Sequence, residues 1–60
     1  EHAVLVLEQR ERETGRLVGL TDNYVEMAFP GPDALMRGFA QVRATAPGGQ
    51  RVEGVLVANG

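Results

Sequence analysis

The stretch Thr21-Asp22-Asn23-Tyr24-Val25-Glu26-Met27-Ala28-Phe29-Pro30-Gly31-Pro32-Asp33-Ala34-Leu35-Met36-Arg37-Gly38 decides the fold. Asp22-Asn23 is a turn signal, because both side chains bond nearby backbone and tolerate left-handed conformations. Tyr24 to Phe29 then alternates. Val25, Met27 and Phe29 are predicted to face the core, and Tyr24, Glu26 and Ala28 to face away from it. Pro30-Gly31-Pro32 ends the strand, since proline donates no ladder hydrogen bond. Asp33 stands where a helix N-cap belongs, Leu35 and Met36 are its anchors to the core, and Gly38 closes the turn. The pattern is a strand followed by one helical turn.

Strands are predicted on both sides of it. Residues 3–8 form a short apolar run rich in valine, a buried strand. Residues 9–14 are polar and either extend that strand into solvent or form a loop. Residues 16–21 make a second strand, in which Gly19 suggests a bulge or sharp bend. Residues 39–46 make a fourth. There Ala40, Val42 and Ala44 are predicted inward, and Gln41, Arg43 and Thr45 outward. Phe39 falls in the outward register, but it follows the helical turn and is assigned to the core beneath it. Pro47-Gly48-Gly49 is a hairpin loop signal, and residues 50–58 make a fifth strand broken by Gly54. Five short strands, with one helical turn between the third and fourth, predict an all-β, OB-like closed barrel. Closure removes the unpaired edges of an open sheet, and 60 residues cannot supply the two full sheets of a sandwich.

Composition bounds the function. A chain of 60 residues is one domain, residues 1–60, with no room for a catalytic lobe. It has no cysteine, which excludes disulfides, thiolate zinc sites and iron–sulfur ligation by this segment. No apolar run is long enough to span a bilayer. All six basic residues are arginine. In residues 1–14 two arginines meet four glutamates, so the whole net charge of −2 sits there, and residues 15–60 are neutral. Nucleic-acid binders are usually basic overall, so RNA binding here requires a local patch.

The middle of the chain is more specific. Gly15-Arg16-Leu17-Val18-Gly19-Leu20-Thr21-Asp22-Asn23-Tyr24 is followed by Phe29-Pro30-Gly31-Pro32-Asp33-Ala34-Leu35-Met36-Arg37-Gly38, then Val42-Arg43-Ala44-Thr45 and Gly54-Val55-Leu56-Val57. This resembles the TRAM domain at the C-terminus of the radical-SAM tRNA methylthiotransferases, over about Val4 to Val57, most specifically at Gly19-Leu20-Thr21-Asp22-Asn23-Tyr24. The resemblance implies a five-stranded OB-like barrel that binds the anticodon arm of tRNA. It would present that arm to a catalytic domain of the same cytoplasmic parent chain. That domain would hold iron–sulfur clusters and S-adenosylmethionine and methylthiolate a modified adenosine beside the anticodon. Starting at Glu1 without methionine, the chain reads as a piece cut from the C-terminus of such an enzyme, without cofactor, small-molecule substrate or activity of its own. Leu20 stands where many members acting on isopentenyl-adenosine carry arginine. It tilts the resemblance toward the branch acting on threonylcarbamoyl-adenosine and removes one expected contact. A third branch, whose TRAM domain binds a basic ribosomal protein, fits the charge but matches Thr21-Asp22-Asn23-Tyr24 less well.

Each candidate RNA contact has a plainer alternative. Tyr24 can stack on an unpaired base or pack across strands on the barrel's outside. Arg16, Arg37, Arg43 and Arg51 offer planar forks to phosphate, or pair with carboxylates such as Glu26 and Glu53 at the surface. Arg43, outward with Gln41 and Thr45, is the strongest of them. Thr21 and Asn23, with Asp22, either touch ribose and base edges or only build the turn. Gly19 and Gly54 serve backbone geometry. His2 has no partner at metal spacing, and Glu8 to Glu13 reads as a solvated stretch or a contact to the catalytic domain. The competing function is a protein-interaction module, packing on the parent's catalytic domain or recognising a protein substrate, with little affinity for RNA.

Overall fold

Alternation along each strand sends one set of apolar side chains toward a common axis, and the sheet closes around it. The computed structural model describes residues 1–47 and 51–59. Its strands are β1 (His2–Arg10), β2 (Leu17–Leu20), β3 (Glu26–Phe29), β4 (Phe39–Pro47) and β5 (Val52–Asn59), with a 3-10 turn at Asp33–Leu35 between β3 and β4. They form a closed barrel in the order β1-β2-β3-β5-β4. Neighbours are antiparallel except β3 and β5, which are parallel and pair at Met27↔Val52 and Ala28↔Glu53. The fold is therefore the all-β, OB-like five-stranded barrel expected from the sequence.

Val4, Val6, Leu17, Met27, Phe29, Ala40 and Val42 fill the barrel, with Leu35 against them from the 3-10 turn. Met36, Val52 and Leu56 pack around this core half-buried. Two close approaches require glycine. A Cβ on Gly19 would lie 2.6 Å from Val4 Cγ2, and one on Gly54 would lie 2.6 Å from Val42 Cγ1 and 2.9 Å from the Arg43 carbonyl. Neither glycine breaks its strand. The irregularity expected at Gly19 lies instead on β1, between Val6 and Arg10, opposite Gly19 and Leu17. Beside Gly54, β4 carries one extra residue, Thr45, between Ala44 and Ala46.

Several positions depart from simple alternation. Val25 is exposed, because it belongs to the turn and β3 starts only at Glu26. Ala44 is exposed because the pairing of β1 with β4 ends at His2↔Val42, so Ala44 lies beyond the enclosed length of β4. Ala28 is buried although it faces outward, as is Val18 opposite it. Phe39 is 63% exposed and not in the core, since its outward register sets it beside Leu5 while the next residue, Ala40, points inward. Asp33 does not cap the turn: Pro32 takes the N-cap position with no side-chain cap, and Asp33 pairs with Arg10 at 2.6 Å. The left-handed residue after the turn is Arg37 (φ 70), not Gly38. There the Arg37 N–H donates to the Val6 carbonyl and the Val6 N–H to the Gly38 carbonyl, both at 2.8 Å. The hairpin signal at Gly48-Gly49 and the fifth strand's start at Gln50 lie outside the described residues.

Candidate nucleic-acid interface

The turn from β2 to β3 is held by Thr21. Its N–H donates to the Val25 carbonyl at 3.0 Å, its carbonyl accepts from Tyr24 N–H at 2.9 Å, and its hydroxyl oxygen accepts from Val25 N–H at 3.1 Å. Thr21 is buried, so its structural role is the one on view. Asp22 and Asn23 form the exposed tip. Tyr24 follows in the left-handed region (φ 63), the place in such turns where glycine is usual. This backbone projects the ring into solvent, 81% exposed.

Beside Tyr24 lies an open groove of about 520 Å³. Leu5, Leu20, Tyr24 and Phe39 are its apolar lining, and Glu1, His2, Thr21 and Asp22 supply polar groups. Strand register explains the cluster. Leu5 pairs with Leu20 on one side and with Phe39 on the other, so three outward side chains meet across β2, β1 and β4. The same outward row of β4 continues through Gln41 to Arg43, which reaches Glu1 at 3.5 Å and stays largely exposed.

A second cluster surrounds Glu11 in the β1–β2 loop. The loop is tight: Glu11 N–H donates to the Arg16 carbonyl at 2.8 Å, and Gly15 N–H to the Glu11 carbonyl at 2.9 Å. The Thr14 hydroxyl and Arg16 Nε, the latter at 3.0 Å, both donate to Glu11 Oε1, while an Arg51 amino group reaches Oε2 at 3.3 Å. The Thr14 hydrogen bond, with the hydrogen bond and charge of Arg16 and the bond from Arg51, lowers the Glu11 pKa against an opposing desolvation. Arg51 also holds Glu26 at 2.8 Å, and Arg16 approaches Glu53 at 4.0 Å. Glu53 pairs with Ala28 and Glu26 lies two residues before it, so this network covers the outer β2–β3–β5 face where Val18 and Ala28 are buried. Val18 and Ala28 lie outside the barrel's inner cluster, as that coverage requires.

The structure thus divides the predicted contacts. Thr21, Asn23 and Tyr24 share one turn, with Gln41 and Arg43 along a nearby row. Arg16 and Arg51 converge at Glu11. Arg37 stands apart, paired with Glu8 at 3.1 Å on the exposed surface. Sequence reasoning missed Phe39 and Leu5 as groove residues, although the outward register of Phe39 was readable. It also missed Glu11, read as solvated, whose side chain is only 14% exposed. Arg10 was missed as well; it bonds Asp33 and the carbonyls of Gly15 and Gly31. Among the described residues no cluster of His, Cys, Asp or Glu could hold a metal, and no helix is long and apolar enough to cross a membrane. No protein-family model matches the chain, and neither a curated protein nor a solved structure is significantly similar to it.

Proposed function

We propose that the domain is an RNA-binding module of TRAM type. It holds the anticodon arm of a tRNA for a radical-SAM methylthiotransferase domain of its parent protein, which carries the iron–sulfur clusters and S-adenosylmethionine. The observation that carries the RNA-binding part is the Tyr24 ring, 81% exposed on a left-handed backbone in a groove that Phe39, 63% exposed, also lines. Fully exposed aromatics at a groove are the stacking platform by which barrels of this kind hold unpaired bases, each stacked base being worth about 1–3 kcal/mol. The likeness of Gly19-Leu20-Thr21-Asp22-Asn23-Tyr24 to the TRAM domain supports tRNA as the ligand and the parent enzyme as the context. Gln41 and Arg43 extend the platform with a hydrogen-bonding and a charged group.

Tyr24 is the only tyrosine and there is no tryptophan, so its intrinsic fluorescence reports stacking without a label. Titration with a tRNA anticodon stem-loop is expected to quench it saturably. Tyr24→Leu is expected to weaken binding of labelled RNA by about 5- to 150-fold, the loss of one stacked base. Arg43→Ala is expected to flatten the salt dependence by about one unit. An unquenched ring at low ionic strength would falsify the RNA reading.

One observation favours a second reading. Glu1 and Asp22 line the groove, no arginine does, and Arg16, Arg37, Arg43 and Arg51 each hold a carboxylate. An apolar groove with acidic sides suits a protein partner, the parent's catalytic domain or a basic substrate protein. Binding that ignores salt, with the stem-loop unbound, would select it.

A further inference from the structure

Arg16 and Arg51 close on one anion. They meet Glu11 from two sides, Arg16 at Oε1 and Arg51 at Oε2, and the Thr14 hydroxyl adds a third donor. Two guanidinium forks and a hydroxyl around a single oxyanion is the donor set of a phosphate site. The two arginine side chains remain about one quarter exposed, so a ligand can reach them. Both keep a second carboxylate, Glu26 for Arg51 and Glu53 for Arg16, which holds each fork in place without Glu11. The Glu11 backbone is fixed by its own N–H and carbonyl bonds, so its side chain can leave by rotation alone. A cleft of about 250 Å³ opens at this point, lined also by Arg12, which has no carboxylate partner among the described residues. The site also adjoins the groove: Leu20, which lines the groove, pairs with Glu26, whose carboxylate holds Arg51.

We infer that Arg16 and Arg51 form a seat for an RNA phosphate that the Glu11 carboxylate fills from within the chain, so that RNA docks there only by displacing it. This rests on the RNA reading above and adds a restraint to it. A strand whose base stacks on Tyr24 brings its backbone to the seat at high local concentration and ejects the carboxylate. A lone phosphate has no such help and loses the competition. The internal anion therefore reserves the seat for ligands that engage both clusters, and explains how a chain of net charge −2 can bind RNA through a site that is neutral at rest.

The test is the salt dependence of binding of a fluorescent single-stranded RNA to the wild type, Glu11→Gln, Glu11→Asp, Glu8→Gln and Tyr24→Leu, each checked for folding by thermal melting. Glu8 is exposed, pairs with Arg37 and lines neither the groove nor the cleft, so Glu8→Gln makes the same charge change away from the seat. Glu11→Gln is expected to tighten binding about threefold to tenfold and to steepen the log–log salt slope by about 0.7, because the phosphate entering the seat no longer exchanges for an internal anion. Glu11→Asp, which draws the carboxylate back from the arginines without changing charge or removing a donor, is expected to tighten binding about twofold, and it carries the test if Glu11→Gln does not fold. Equal effects of Glu11→Gln and Glu8→Gln would reduce the seat to bulk charge and overturn it. An unchanged slope in Glu11→Gln and unchanged affinity in Glu11→Asp, with Tyr24→Leu still weakening binding, would overturn the seat and leave RNA stacking intact. Absence of binding by every variant at low salt would remove both.

Discussion

At the scale of single residues, Tyr24 carries a conflict between fold and surface. A left-handed backbone costs a non-glycine residue about 1–2 kcal/mol, and glycine at the same place gives back about 0.5–1 kcal/mol in chain entropy. Tyr24 adopts φ 63, while its ring is almost fully exposed and so recovers little by packing. Tyr24→Gly is therefore expected to stabilise the domain by about 0.5–1 kcal/mol, raising the melting temperature by several degrees. The same change is expected to abolish stacking of labelled RNA. A melting temperature that falls would show that the ring supports the barrel, and would take away the reason for assigning it to a ligand. Neighbouring Thr21 shows the opposite balance. Its three hydrogen bonds to Tyr24 and Val25 are spent on the turn, and its hydroxyl oxygen already accepts the Val25 N–H.

At the scale of elements, the barrel depends on a residue that looks ordinary in the sequence. Arg10 ends β1 and donates to Asp33 at 2.8 Å, to the Gly15 carbonyl at 2.6 Å and to the Gly31 carbonyl at 2.8 Å. It ties the β1–β2 loop to the loop entering the 3-10 turn. Arg10→Ala is expected to cost about 1–3 kcal/mol by urea unfolding, against almost nothing for Arg12→Ala two positions on. Equal effects would show that the two loops hold themselves. The contrast marks the limit of local reading. The five strands, the helical turn and most of the core were legible because Met27, Phe29, Ala40 and Val42 obey a period of two, and because Pro30-Gly31-Pro32 stops a strand. Val25 and Ala44 were misassigned, and the burial of outward-facing Ala28 went unforeseen, because alternation says which side a residue faces, not where a strand starts or what covers its outer face. Glu11 and Arg10 were illegible for a related reason. Their partners lie up to 40 positions away, and only closure of the barrel brings Arg51 to Glu11.

At the scale of the whole molecule, one seam governs closure. Among the described residues β3 and β5 meet through two register pairs, Met27↔Val52 and Ala28↔Glu53, whereas β4 and β5 pair along most of their length. The side chains crossing that seam are charged: Arg51 reaches from the start of β5 to Glu26 on β3, and Glu11 binds Arg51 to Arg16 beside β2. A domain of this size has about 3–5 kcal/mol of stability in total, so a small loss at the seam is felt globally. Glu11 makes that loss depend on pH. Its folded pKa lies below the ordinary value of 4.5, so the folded state holds the ionised form more tightly than the unfolded chain does. The resulting stabilisation is complete above the unfolded value and disappears as pH falls through the folded one. Urea unfolding from pH 7 down to pH 3 is expected to show the wild type losing its advantage over Glu11→Gln across that window. At pH 7 the wild type should be the more stable, and its advantage should shrink as the pH falls below 4.5. Parallel curves over the whole range would mean that the Glu11 carboxylate contributes nothing to closure. The seam would then be held by the apolar contacts of Met27 and Val52, and release of Glu11 to an incoming phosphate would cost the fold nothing.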